Sequence, residues 1–94
     1  MRFDWDPEKA RENYRKHGVL FDIAALAFDD PGFVMLTDRD VDGEERWHTI
    51  GMVGGVLLLL VVHTYWEEDE QEMVRIISAR EVTTQERRLY EDCQ

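Results

Sequence analysis

The spacing of apolar and polar positions changes period several times along the chain, and each change marks an element. Arg2 to Trp5 alternates and predicts a short first strand. Asp6-Pro7-Glu8 is a helix start, with Asp as N-cap, Pro at the first helical position and an acid in the first turn. That helix should run from about Pro7 to His17, because Arg15, Lys16 and His17 suit the negative end of the helix dipole and Gly18 is a stop. Ile23, Leu26 and Ala27 recur at helical spacing and predict a second helix over Asp22 to Phe28, ended by Asp30-Pro31-Gly32. Four strands follow, over Phe33 to Thr37, Glu45 to Val53, Val56 to Trp66 and Glu72 to Ser78. Gly54-Gly55 between valines is a two-residue hairpin signal. The run Val56 to Val62 is apolar at every position, which predicts a central strand covered on both faces. Thr83-Thr84-Gln85-Glu86 has capping-box spacing and starts a last helix that reaches about Asp92. The order β-α-α-β-β-β-β-α predicts an α+β fold: an antiparallel four-stranded meander with a short N-terminal strand, two N-terminal helices and one C-terminal helix. Residues 1–94 read as a single domain, with no repeat, linker or low-complexity segment.

The last strand carries the most informative chemistry. On strict alternation Met73, Arg75 and Ile77 lie on one face and Val74 and Ile76 on the other. A guanidinium stays charged near neutral pH, so Arg75 must either pair with a carboxylate or face an open groove. Arg80 follows at the strand's exit. The two arginines suit a grip on a phosphodiester backbone; the alternative is salt bridges to Glu72, Glu81 or Glu86. On the second strand Arg46 and His48 share a face with Ile50 and Met52, and on the central strand His63 shares one with Val61 and Tyr65. Strand register decides whether these groups meet. His63 is a candidate acid or base, since an unperturbed imidazole titrates near ~6.5; the competing account is a hydrogen-bonded core histidine. Tyr65 and Tyr90 are candidates to stack a base. His17 is accounted for as a cap and dipole partner.

Charge weighs against a polyanionic ligand. The chain carries 11 basic and 21 acidic residues, net −10, while nucleic-acid binding rests on bases along the contact. The distribution softens this objection. Five acids lie within Asp38 to Glu45 and five within Glu67 to Glu72, whereas Lys9, Arg11, Arg15 and Lys16 cluster in one segment and Arg75, Arg80, Arg87 and Arg88 in another. The acidic stretches read as solvated loops.

Other motifs carry little. Cys93 is a lone cysteine, so neither an internal disulfide nor a cysteine zinc site is expected. No signal peptide is apparent, and the apolar run Val56 to Val62 is far below the ~20 residues needed to span a bilayer. A cytoplasmic location and no membrane contact are expected. Asp38-x-Asp40-x-Asp42-Gly43 matches the first half of a calcium loop, but Thr49 stands where the bidentate acid should be, so no metal and no cofactor are expected.

Taken together, Phe3-Asp4-Trp5-Asp6-Pro7, Asn13, Lys16-His17-Gly18-Val19, Phe21, Glu45-Arg46-Trp47, Ile50-Gly51, the Arg75-to-Arg80 run RIISAR, Glu86-Arg87-Arg88 and Tyr90-Glu91 resemble the BrnT family over nearly the whole chain. The family consists of ribonuclease toxins of type II toxin–antitoxin pairs, with a RelE-like fold. The resemblance implies a metal-independent endoribonuclease that cleaves messenger RNA and inhibits translation. It implies a small BrnA-like antitoxin as partner, with operator DNA contacted only through that antitoxin. It leaves homodimer and heterotetramer open. Its site roles fall on Arg75 and Arg80 and, more weakly, on Arg46; His63 joins them as the candidate proton-transfer group. A second expectation, favoured by the net charge, is a non-catalytic partner-binding module within a repressor complex.

Overall fold

In a computed structural model the chain forms β1 (Arg2–Asp4), α1 (Pro7–His17), α2 (Phe21–Ala25), a 3-10 turn (Leu26–Asp29), β2 (Val34–Val41), β3 (Glu44–Val53), β4 (Leu57–Glu68), β5 (Gln71–Glu81) and α3 (Thr84–Asp92). The structure describes residues 1–41 and 43–94, those at 39–41 by backbone alone. The five strands form one sheet in the order β1-β5-β4-β3-β2, in which β1 runs parallel to β5 and the other pairs are antiparallel. The predicted α+β architecture and element order hold, and β4 is the central strand.

Local chemistry explains the boundaries. The Asp6 side chain accepts from the Glu8 N–H, Pro7 opens α1, and the Gly18 N–H closes it on the Tyr14 carbonyl. Gly54 and Gly55 both have positive φ, as a tight hairpin with the twist of its strands requires. Val56 therefore sits in the turn, exposed, instead of opening β4. The second helix breaks into the 3-10 turn at Leu26, earlier than periodicity suggests. There the Ala27 carbonyl packs so closely on Gly51 that any Cβ at Gly51 would collide with it. The stretch Glu67 to Glu72 is not a loop: β4 and β5 continue through it, and the reversal is confined to Asp69 and Glu70, both at positive φ. Asp38 belongs to β2 and Glu44 and Glu45 to β3. The calcium-loop pattern lies partly outside the described residues, at Asp42 and the side chain of Asp40.

The sheet is apolar on both sides. One face packs Leu59, Val61, Val74, Ile76 and Ala79 against Val19, Phe21, Ala24, Ala27 and Phe28 from the N-terminal helices and their connections. The other packs Ile50, Leu58 and Leu60 against Tyr90 of α3. Tyr90 donates to the Asp30 carboxylate at 2.6 Å, and the same carboxylate accepts from the Met52 and Gly32 N–H groups. Burial opposes the charge on Asp30, but these three donors outweigh it and hold its pKa below the ordinary value. The hydrogen bond to Asp30, with burial, pushes the Tyr90 hydroxyl up to about 12. Tyr90 thus fastens α3 to the sheet and is not free to stack a base.

β1 is short, and Asn13 of α1 continues its role along the β5 edge. Its buried side-chain amide donates to the Ala79 carbonyl and accepts from the Ala79 N–H, as a neighbouring strand would, and also donates to the Val19 carbonyl. The amide thereby fixes α1 against the segment that bears Arg75 and Arg80. Among the described residues no helix is long and apolar enough to cross a membrane.

Candidate active site

Register brings part of the predicted set together. His63 pairs with Ile76 and Val62 with Ser78, so Ile77 is an extra residue, a bulge in β5. The bulge changes the parity of the strand. Strict alternation would put Arg75 and Arg80, five positions apart, on opposite faces. With the bulge, Arg75 lies opposite Thr64 and Arg80 opposite Leu60, and both point to the α3 side of the sheet. Arg46 and His48 of β3 share that side, because Ile50 does and His48 pairs with Val62.

Beyond the end of α3 this face opens into a cleft of about 230 Å³ lined by Arg46 and Arg75 together with Lys9, Asp6, Glu44, Ile76 and Ile77. Lys9 and Ile77 also line an adjoining cleft with Glu12, Asn13, Lys16, His17 and Ser78. Basic groups from α1, β3 and β5 therefore line two adjoining clefts, with Asp6, Glu12 and Glu44 among them. Arg75 is half exposed and makes an ion pair with Asp4 at 3.1 Å. Such a pair contributes little in water and exchanges readily. The Arg46 Nε is buried and has no hydrogen-bond partner among the described residues. Trp66 lies on the same sheet face and is partly exposed.

Arg80 is differently employed. Its Nη1 and Nη2 donate to the two Glu86 oxygens at 2.8 and 2.9 Å, and Nη1 also reaches the Glu81 carbonyl. Glu86 in turn accepts from the Thr83 N–H, and Thr83 accepts from the Glu86 N–H, completing the capping box of α3. The hydrogen bonds from Arg80 pull the Glu86 carboxyl down to about 2 against the opposing effect of burial. Arg80 thus braces the junction of β5 and α3.

His63 does not join the arginines. It lies on the opposite face with no exposed surface, edge-on to Phe28 at 5.0 Å. Its Nδ1 lies 2.9 Å from the Thr64 carbonyl, which only accepts, so Nδ1 carries the hydrogen and Nε2 accepts from the Thr49 hydroxyl at 2.7 Å. Both ring nitrogens are occupied, and burial drives the pKa down to about 4. As a correction to expectation, this is a core histidine. Tyr65 likewise sits on the helix-covered face, edge-on to Trp47.

His48 is the imidazole on the open face. The β2–β3 register breaks between Thr37 and Asp40, and Asp38 lies in that break. Its carboxylate Oδ2 stands 3.0 Å from His48 Nε2, with about a third of each side chain exposed. The alternations Arg46-x-His48 and Leu36-x-Asp38 are compatible with one shared face, but which acid meets which imidazole follows only from the register, which shifts at Asp38. Among the described residues no group of three or more His, Cys, Asp or Glu is placed to hold a metal ion.

Comparison with known proteins agrees with this architecture. Residues 5–86 match the family model for the ribonuclease toxin BrnT of type II toxin–antitoxin systems. The fold is similar to the crystal structure of the Brucella abortus ribonuclease toxin BrnT, at a TM-score of 0.61 and 21% identity, covering 89% of this chain and 99% of that one. No protein of curated function matches the chain in sequence. With a family match over most of its length, the chain belongs to the BrnT family of type II toxin–antitoxin ribonuclease toxins.

Proposed function

We propose that this chain is a metal-independent endoribonuclease that cleaves messenger RNA, halts translation and is neutralised by a small BrnA-like antitoxin. One observation carries the reading. Arg46 and Arg75, from strands separated by β4, converge with Lys9 on one cleft at the open end of a sheet face. Cleavage of RNA by its own 2′-hydroxyl needs charge stabilisation on the phosphorane, and two guanidiniums on rigid strands supply it without a bound ion. Lys16 and His17 extend the basic path along α1, and Trp66 offers a flat surface for a base. The site is Arg46 and Arg75; Arg80 and His63 support the scaffold around it. The antitoxin would cover this face, and operator DNA would be met only through the antitoxin, in a homodimer or heterotetramer.

Induction of the chain alone in bacteria should arrest growth as intact messenger RNA falls. Co-expression of the neighbouring small reading frame should restore growth. Arg75→Ala with Arg46→Ala should abolish arrest at equal soluble protein, and the purified chain should cleave RNA in EDTA. Arrest undiminished in the double variant would refute this site.

A second reading has its own observation. The cleft sets Asp6 and Glu44 beside its three bases, and Arg75 is paired with Asp4. A net-neutral site suits a non-catalytic module that binds its partner within a repressor complex. RNA left intact by a purified chain that still binds the antitoxin would favour that reading.

A further inference from the structure

We propose that His48 is the proton-transfer residue of this site and that Asp38 positions it; the inference rests on the ribonuclease reading above. Two histidines lie on neighbouring strands of the sheet and have opposite surroundings. His63 has both nitrogens engaged and no exposed surface. His48 has about a third of its side chain exposed, on the face that carries Arg46 and Arg75, and among the described residues its partner is the Asp38 carboxylate, at 3.0 Å from Nε2. A carboxylate accepts and cannot donate, so its approach favours hydrogen on Nε2 and leaves the lone pair on Nδ1. A base with a fixed tautomer and an orienting acid is the arrangement that general-base chemistry needs. Both bulges of the sheet contribute to it. The one in β2 contains Asp38, which lies against His48, and the one in β5 brings Ser78 opposite Val62, His48's own partner, with Arg75 and Arg80 on the same side.

Placement follows from strand geometry. His48 is two residues from Arg46 on one strand, about 7 Å apart at Cα, and lies two strands from β5, about 10 Å across. Arginine side chains span that gap, so a phosphate held by Arg46 and Arg75 can set its ribose near Nδ1. The step balances as written. His48 Nδ1 takes the proton of the 2′-hydroxyl; the 2′-oxygen forms a bond to phosphorus; the bond from phosphorus to the 5′-oxygen breaks. The departing oxygen takes a proton from water, and the imidazolium returns its own to solvent. The products are a 2′,3′-cyclic phosphate and a 5′-hydroxyl, with nothing oxidised or reduced. Among the described residues the charged groups that share this face with His48 include Asp4 from β1, Asp38 from β2, Glu44 and Arg46 from β3, Glu68 from β4, Arg75 and Arg80 from β5, and Glu86 of α3, which Arg80 holds. His63 lies behind it.

The test is single-turnover cleavage of a labelled RNA by the purified full chain, with binding measured on the same oligonucleotide in all-2′-deoxy form. His48→Gln should lower the cleavage rate by about 10²–10⁴-fold while changing binding less than threefold. His48→Gly should be rescued by added imidazole, which a structural role would not allow. Asp38→Asn should slow cleavage while leaving binding within threefold, because the imidazole loses the acceptor that fixes its tautomer, and Asp38→Glu, which keeps a carboxylate, should recover part of the rate. Cleavage by His48→Gln at the wild-type rate would overturn the proposal, as would a loss matched by equal loss of binding without imidazole rescue. Wild-type chain that leaves RNA intact would overturn the ribonuclease reading and this assignment with it; active wild type with an active His48→Gln would overturn the assignment alone.

Discussion

Arg80 and Glu86 offer the sharpest test of how scaffold and site are divided. The pair is bidentate and mostly shielded, with 34% and 23% of the two side chains exposed. Glu86 is drawn from an ordinary 4.5 to about 2. At 1.36 kcal/mol per pH unit that shift corresponds to about 3 kcal/mol. Partial solvent screening reduces the stabilisation to about 1–2 kcal/mol. A double-mutant cycle of Arg80→Ala and Glu86→Gln isolates it, because glutamine still fits a capping box and so keeps the α3 cap. At pH 7 the coupling energy should be about 1–2 kcal/mol, and Arg80→Ala should lower Tm by roughly 4–16 °C for a domain of this size. The sign with pH follows from a depressed carboxyl: the stabilisation is fully present above about pH 4.5 and is lost as pH falls through about 2. Urea melts of the four variants at pH 7 and pH 3 should therefore give a smaller coupling at the lower pH. Folded Arg80→Ala should cleave RNA within threefold of wild type. A coupling below about 0.3 kcal/mol together with lost cleavage would show that Arg80 works on the phosphate and that the brace is incidental.

Three further outcomes are expected. Asp4→Asn frees Arg75 from its exposed ion pair, so RNA binding should tighten by about 2–5-fold, the scale of a pair worth up to about 1 kcal/mol; filter binding at fixed salt checks it, and weaker binding would put Arg75 outside the RNA path. His63 is held neutral with its pKa lowered to about 4, so its contribution is whole above about pH 6.5 and falls away as pH drops toward 4, by up to about 3 kcal/mol. Urea titrations should show that loss in wild type and a shallower one in His63→Gln. Neutralising Glu67, Glu68, Asp69 and Glu70 to Gln or Asn should slow association with a basic antitoxin and flatten its salt dependence, with RNA cleavage unchanged or improved; stopped-flow across a salt series decides it, and an unchanged rate with lost cleavage would place these acids on the RNA surface.

Most of the fold was legible because its signals are local. The Asp6-Pro7 start, the Gly18 stop, the Gly54-Gly55 turn and the Thr83 capping box each act within four residues, and all four stand where the sequence sets them. The unbroken apolar run likewise gave the central strand. Composition misplaces the strand ends at the acidic turn, because a run of charge looks like a loop in sequence while β4 and β5 continue through it. Glu67, Glu68 and Glu72 stand on a hairpin that continues past the covered core, where side chains on both faces reach water. Polarity there records exposure and not the end of backbone pairing.

The site was legible only in part, and the reason is parity. Alternation assigns faces correctly until a bulge intervenes, and a bulge leaves no reliable mark in composition. Ile77 looks like any other β-branched strand residue, yet as the extra residue in β5 it turns Arg80 to the side of Arg75. Choosing between the histidines failed for a related reason. His63 and His48 are both flanked by apolar and hydroxyl residues, and those immediate neighbours do not separate them. Three-dimensional pairing does: the face that holds His63 is sealed by Phe28 and the N-terminal helices, whereas α3 covers only one end of the face that holds His48. A nine-residue α3, tied down by Tyr90 and Arg80, leaves the far end of that face open. The same brace that occupies Arg80 therefore sets how much of the sheet around Arg46, His48 and Arg75 stays uncovered.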